Sequence, residues 1–102
     1  MKIFVVDDEP LITRYIVQCI QNVSNEYQVI GTASSGVKAL EKIKENLPDV
    51  VFTDITMPKM EGLELLRELK KTYPHIGVVM LTCHEDFEYA RQAFRGNADD
   101  YI

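Results

Sequence analysis

Five short apolar runs alternate with segments of helical periodicity along all 102 residues, and that alternation leaves few folds open. The runs span residues 2–6, 28–33, 50–53, 78–82 and a stub at 100–102. Three contain unbroken apolar stretches: Ile3-Phe4-Val5-Val6, Val50-Val51-Phe52 and Val78-Val79-Met80-Leu81. A strand with one wet face alternates apolar and polar residues, so unbroken stretches point to strands buried on both faces of a parallel sheet. Between the runs, Leu11, Ile12, Tyr15, Ile16, Cys19, Ile20 and Val23 form a helical stripe, with Pro10 in its first turn. Leu40, Ile43 and Leu47 form a second stripe, stopped by Pro48. A third, Leu63, Leu66, Leu69 and Tyr73, is stopped by Pro74, and a fourth, Phe87, Ala90, Ala93 and Phe94, ends near Gly96-Asn97. Residues at this spacing are expected in a core.

Strands and helices in strict alternation imply βαβ units with right-handed crossovers. The expected fold class is α/β, an open doubly wound parallel sheet with helices on both faces. Such sheets bind ligands at the carboxyl ends of the strands, where the strand order reverses. The length suits one domain, 1–102, with no internal linker, repeat or low-complexity stretch.

A formal net charge of -5 and a pI near 4.9 argue against a bare nucleic-acid duplex as partner, since that needs clustered Lys and Arg. No apolar run approaches the roughly 20 residues of a membrane span. The apolar start meets Asp7-Asp8-Glu9 at once, unlike a signal peptide. Cys19 and Cys83 have neither metal-ligand nor CxxC spacing, and Cys19 falls on the apolar stripe. Two reduced thiols in a cytoplasmic protein is the simplest reading.

Polar chemistry is concentrated where the strands end. Asp7-Asp8 follow the first run, Asp54 follows the third and Thr82 ends the fourth. Taken singly, an acidic pair after a strand is often a helix N-cap, and a lone Asp in a loop is usually a turn residue. If the first and third strands are neighbours, however, three carboxylates converge on one sheet edge. Their repulsion then calls for a cation, a bound proton or a loss of stability. Magnesium, held by one or two carboxylates with waters and phosphate oxygens, answers it. Metal, carboxylate nucleophile and the Thr82 hydroxyl together suit an acyl-phosphate. A helix N-terminus just after Asp7-Asp8 also favours a nearby anion.

Val5-Val6-Asp7-Asp8-Glu9-Pro10, Asp54-Ile55-Thr56-Met57-Pro58-Lys59-Met60-Glu61-Gly62 and Val79-Met80-Leu81-Thr82 resemble the receiver domains of bacterial two-component response regulators. The resemblance runs the length of the chain, and Asp-x-x-Met-Pro-x-x-x-Gly is its most specific part. It implies a flavodoxin-like sheet of order 2-1-3-4-5. Asp54 matches the phosphoryl acceptor, and Asp8 and Asp54 match metal-binding carboxylates, with Asp7 acting through water. Thr56 would offer its backbone carbonyl to Mg2+. Thr82 matches the hydroxyl that moves toward the phosphoryl group, and Tyr101 the aromatic coupled to it. Pro58 and Gly62 shape the loop. Thr56 and His84 occupy positions that tune the lifetime of the acyl-phosphate, although His84 reads equally well as a solvated loop residue. Cys83 stands where a small residue is usual, and His75 is expected on the surface.

The resemblance further implies a cytoplasmic signalling switch that is not an enzyme on an external substrate but assists its own phosphorylation and dephosphorylation. The partner would be a sensor histidine kinase. The stretch 86–94 is similar to receivers joined to AraC-type DNA-binding domains, so a transcriptional role through an output domain absent here is expected. Ile102 precedes both the lysine that such domains carry after the fifth strand and any fifth helix. A C-terminally truncated domain with apolar surface uncovered on one sheet face is therefore expected, and a homodimer could bury that face.

Three other readings compete. A haloacid-dehalogenase-like phosphatase places a second Asp two residues after its nucleophile, where this chain has Thr56. A flavodoxin-like cofactor binder needs a Gly-, Ser- or Thr-rich phosphate loop where this chain has Asp7-Asp8-Glu9. A receiver-like interaction module without chemistry fits the missing lysine but not the acidic triad.

Overall fold

The computed structural model describes residues 1–54 and 62–81 and the backbone of 100–101. Its elements run β1 (Lys2–Val6), α1 (Pro10–Val23), β2 (Gln28–Ala33), α2 (Gly36–Glu45), β3 (Val50–Asp54), α3 (Gly62–Thr72), β4 (Gly77–Leu81) and β5 (Asp100–Tyr101). The strands form one all-parallel sheet of order β2-β1-β3-β4-β5. Fold class and strand order agree with the expectation. Asp54 is the last residue of β3 rather than the first after it, and β4 begins one residue earlier than the apolar run, whose last residue, Thr82, lies outside the described residues. The expected fourth helix at 87–94 lies outside the described residues.

Unbroken apolar runs serve this sheet because successive side chains point to opposite faces. Ile3 and Val5 meet Ile16, Val17 and Ile20 of α1 on one face. Phe4, Val6, Val51, Val78 and Met80 meet α2 and α3 on the other, against Ala39, Ile43, Leu65, Leu66 and Leu69. Ile43, Leu65, Leu66 and Leu69 are fully buried, and each such side chain contributes about 1.5–3 kcal/mol by leaving water. At the opposite end of the sheet from the candidate site, Asp49 ties three strands together. Its Oδ2 accepts from the Lys2 N–H at 2.7 Å, its N–H donates to the Lys2 carbonyl at 2.8 Å, and its carbonyl accepts from the Gly77 N–H at 2.9 Å.

Two helical stripes are narrower than their periodicity suggested. On α1 the row through Ile12, Ile16 and Ile20 turns inward, with Val17 beside it. Leu11 (75% exposed), Tyr15 (67%), Cys19 and Val23 (71%) face outward. A helix lying on a sheet buries an arc of roughly 100°, and the Leu11–Tyr15–Cys19 row lies one residue, about 100°, away from the buried row. Cys19 is thus exposed, not a core residue. Leu47 is likewise exposed, because α2 stops at Glu45, where the Asn46 N–H returns to the Ile43 and Lys42 carbonyls. An apolar groove of about 410 Å³, lined by Met1, Ile3, Ile20, Val23, Phe52 and Val79, opens beside α1. Apolar surface is therefore exposed on this face.

Gly31 in β2 shows how closely the strands and their side chains approach. A Cβ added there would lie 2.9 Å from Cε2 of Phe4, a ring buried in the core. Gly31→Ala is expected to lower unfolding stability by about 1–3 kcal/mol, the usual cost of overpacking. Chemical denaturation should show part of the loss recovered in Gly31→Ala/Phe4→Leu; equal stability of wild type and Gly31→Ala would contradict the packing described.

Candidate functional site

β1 and β3 are neighbours, with Val6 opposite Thr53. The two strands therefore finish level, and each reaches a carboxylate within one residue, Asp7 after β1 and Asp54 at the end of β3. Carboxylate oxygens of Asp7, Asp8 and Asp54 all lie within 4.8 Å of one another. Between β1 and β3 the strand order reverses, which is where open α/β sheets take their ligands. Two unit charges at this separation repel by on the order of 3 kcal/mol at an effective dielectric of roughly 20.

Asp7 is buried at 5% exposure. Burial raises its carboxyl above the ordinary carboxylate range; the Glu9 N–H, donating to Oδ1 at 2.8 Å, pulls it back, and the charges of Asp8 and Glu9 raise it further. Helix α1 is capped by Glu9 in extended conformation with no side-chain cap bond, and Pro10 opens the helix. The acidic pair is therefore not a helix cap. Asp7 instead closes a two-residue turn onto Glu9 while its carboxylate stays in the cluster.

Two threonines shape the site without having been singled out by sequence. Thr13 Oγ1 donates toward the Glu9 carbonyl at 3.2 Å and the Asp7 carbonyl at 3.4 Å, binding the first turn of α1 to the loop. Its position four residues after Glu9 is the visible signal, because Thr in a helix readily bonds back to the i−4 carbonyl. Thr53 is fully buried, and its Oγ1 donates to the Asp54 carbonyl at 3.0 Å. Nothing in its sequence context marks it.

Asp7, Asp8 and Asp54 are thus brought together as expected. Leu81, the residue before Thr82, is the β4 partner of Asp54. Thr82, Thr56, Cys83 and His84 lie outside the described residues. Tyr101 stands opposite Met80 in β5, and its side chain lies outside the described set. His75 is exposed. An all-carboxylate oxygen cluster suits a hard divalent cation, which takes oxygen ligands and neutralises the repulsion.

Residues 3–102 match the family model of the response regulator receiver domain. This chain is a response regulator receiver domain. It is 34% identical over 102 residues to response regulator GacA of Pseudomonas syringae pv. syringae, covering 100% of this chain and 47% of that protein. It is 32% identical to the transcriptional regulatory protein DegU of Brevibacillus brevis, covering 100% and 43%. Among solved structures, the REC domain of the response regulator AraT from Geobacillus stearothermophilus superposes with a TM-score of 0.90 at 33% identity, over 99% of this chain and 78% of that one. A LuxR-family DNA-binding response regulator from Staphylococcus aureus gives 0.92 at 29%, over 99% and 83%. The receiver domain spans less than half the length of these two curated relatives. Among the described residues, no helix is long and apolar enough to cross a membrane.

The raised carboxyl of Asp7 has a definite sign in the stability of the metal-free receiver domain. The folded state takes up a proton here more readily than the unfolded one. The favourable contribution is therefore present below the unfolded value of 3.8 and lost as pH rises through the raised folded value. Asp7→Asn, which keeps an Oδ1 acceptor for Glu9, should melt higher than wild type at neutral pH without metal, the difference closing in acid. A divalent cation at a hundredfold excess over its Kd for this cluster should stabilise wild type by about 2.7 kcal/mol and the variant far less. Thermal melts across pH and metal concentration check both, and a destabilised Asp7→Asn would overturn the electrostatic account.

Proposed function

We propose that this receiver domain is a phosphorylation-dependent switch in which Asp54 accepts a phosphoryl group from a sensor histidine kinase. The observation that carries the reading is the convergence of Asp7, Asp8 and Asp54 at the strand-order reversal of a receiver-family sheet. Asp54 is half-buried and held at the end of β3 by its strand. A carboxylate oxygen of Asp54 attacks the phosphorus of a phosphohistidine; the P–O bond forms, the P–N bond breaks, and the imidazole leaves with the electron pair and takes up a proton. Asp7, Asp8, Asp54 and the Thr56 carbonyl would hold Mg2+, which supplies charge neutralisation at the phosphoryl oxygens.

The protein's own groups perform positioning. Thr53 holds the backbone of Asp54, and Thr13 holds the loop that carries Asp7 and Asp8. Thr82 would donate to the phosphoryl oxygens and Tyr101 would follow it, shifting the equilibrium between two conformations of the face formed by the expected fourth helix and the fifth strand. His84 and Thr56 would set the lifetime of the acyl-phosphate. Kinship with a transcriptional regulatory protein and with a DNA-binding response regulator supports an output in gene regulation through a further domain, and the 86–94 stretch favours an AraC-type one. On this reading the domain is a signalling element that assists its own phosphorylation, not an enzyme acting on an external substrate.

Acetyl phosphate with magnesium, read by intact mass, tests the acceptor. A magnesium-dependent adduct is expected in wild type and none in Asp54→Ala. Asp8→Asn should slow its formation on the order of a hundredfold, since a metal clamp supplies several kcal/mol. An adduct that persists in Asp54→Ala, or one indifferent to chelator, would sink the assignment.

A further inference from the structure

Strand β2 forms one edge of the sheet, with no strand on its far side among the described residues. The Asp7 N–H donates to the Ala33 carbonyl at 3.1 Å, so Ala33 turns its backbone groups toward β1. Thr32, one residue earlier, therefore turns its own outward. That outward carbonyl is taken by Lys42 Nζ, reaching from α2 at 2.7 Å. Helices α1 and α2 lie on opposite faces of the sheet, and both overhang this edge, enclosing an open groove of about 630 Å³. Arg14 and Gln18 line it from α1, Lys38 and Lys42 from α2, and Asp7 is its one carboxylate. Three cations thus converge on an edge strand in a chain whose formal net charge is -5.

The edge is guarded rather than closed. A lysine on an edge strand and a break in its register both discourage indiscriminate pairing. Here Lys42 caps the Thr32 carbonyl, and the β1–β2 register shifts between Ile3 and Phe4. A carboxylate on an incoming chain would draw the ammonium away and leave the carbonyl for that chain's own N–H. From Pro10 to Gln21 the α1 wall runs about 16 Å, which suits roughly five residues of extended chain better than a compact ligand.

We propose that the β2 edge is a docking site for an extended acidic segment of a partner protein, which lies alongside β2 with its carboxylates on Arg14, Lys38 and Lys42. The backbone pairing would supply affinity and the cations the selection for acid. None of these three residues belongs to the acidic cluster, although Asp7 borders both sites.

The test is an amide NMR titration of the whole chain with a short peptide alternating glutamate and valine, against the same peptide with lysine for glutamate. The acidic peptide alone is expected to shift Thr32, Ala33, Arg14 and Lys42. Arg14→Glu/Lys38→Glu should weaken binding roughly tenfold or more at unchanged melting temperature, both side chains being exposed. Lys42→Met should admit an uncharged threonine–valine peptide that wild type refuses. Equal binding of both charged peptides, or wild-type affinity in the double variant, would overturn the proposal. So would inorganic pyrophosphate reproducing the shifts and displacing the peptide, which would mark a small-anion site instead.

Discussion

The parallel pairing of β1 with β3 is the constraint on which the rest of this receiver domain depends. It sets Val6 against Thr53, so the two central strands end at the same height and their next carboxylates face one another. The same register lets Phe4, Val6 and Val51 enter one core while Ile3, Val5 and Phe52 enter the other. A slip of one residue would exchange the faces and separate the acids together. Asp49 makes such a slip costly, because its three hydrogen bonds hold the other end of β1, β3 and β4 in a single alignment.

That alignment forces like charges together, and the core offsets the cost. Repulsion within the acidic cluster and the burial of Asp7 both work against the metal-free fold. The opposing contribution comes from the α2–α3 face, where Ile43, Leu65, Leu66 and Leu69 are fully withdrawn from water. A cation bound among these carboxylates would offset their repulsion. Thr13 and Thr53 keep the strain local by fixing the carbonyls of Asp7 and Asp54.

The surface divides by chemistry as sharply as the core divides by face. Acid gathers at the carboxyl ends of β1 and β3, apolar surface beside α1, and base along the outer edge of β2. Each patch traces to topology. The acids follow strand ends, the apolar groove lies beside the single described helix on its face, and the cations sit where two helices overhang an edge strand.

The alternation of unbroken apolar runs with helical stripes was enough, from sequence, for the fold class and for the strands at 2–6 and 28–33. Asp7, Asp8 and Asp54 were legible too, because a carboxylate directly after a buried strand must emerge at its carboxyl end. The neighbour relation of β1 and β3 was implied by resemblance, and the three-dimensional pairing made it geometry. Other features were decided only by tertiary packing. Periodicity marks every apolar residue on a helix, but the sheet chooses which arc is buried, so Ile12, Ile16 and Ile20 turn inward while Leu11, Tyr15 and Cys19 do not. Leu65, which the expected stripe left out, is fully buried in the same core as Leu66 and Leu69. Thr53 and Lys42 acquire their roles from carbonyls they meet, one in the adjacent residue and the other ten residues back. A sequence specifies which groups can bond; where a strand edge is left open, and which side chain comes to rest against it, depends on how the layers assemble.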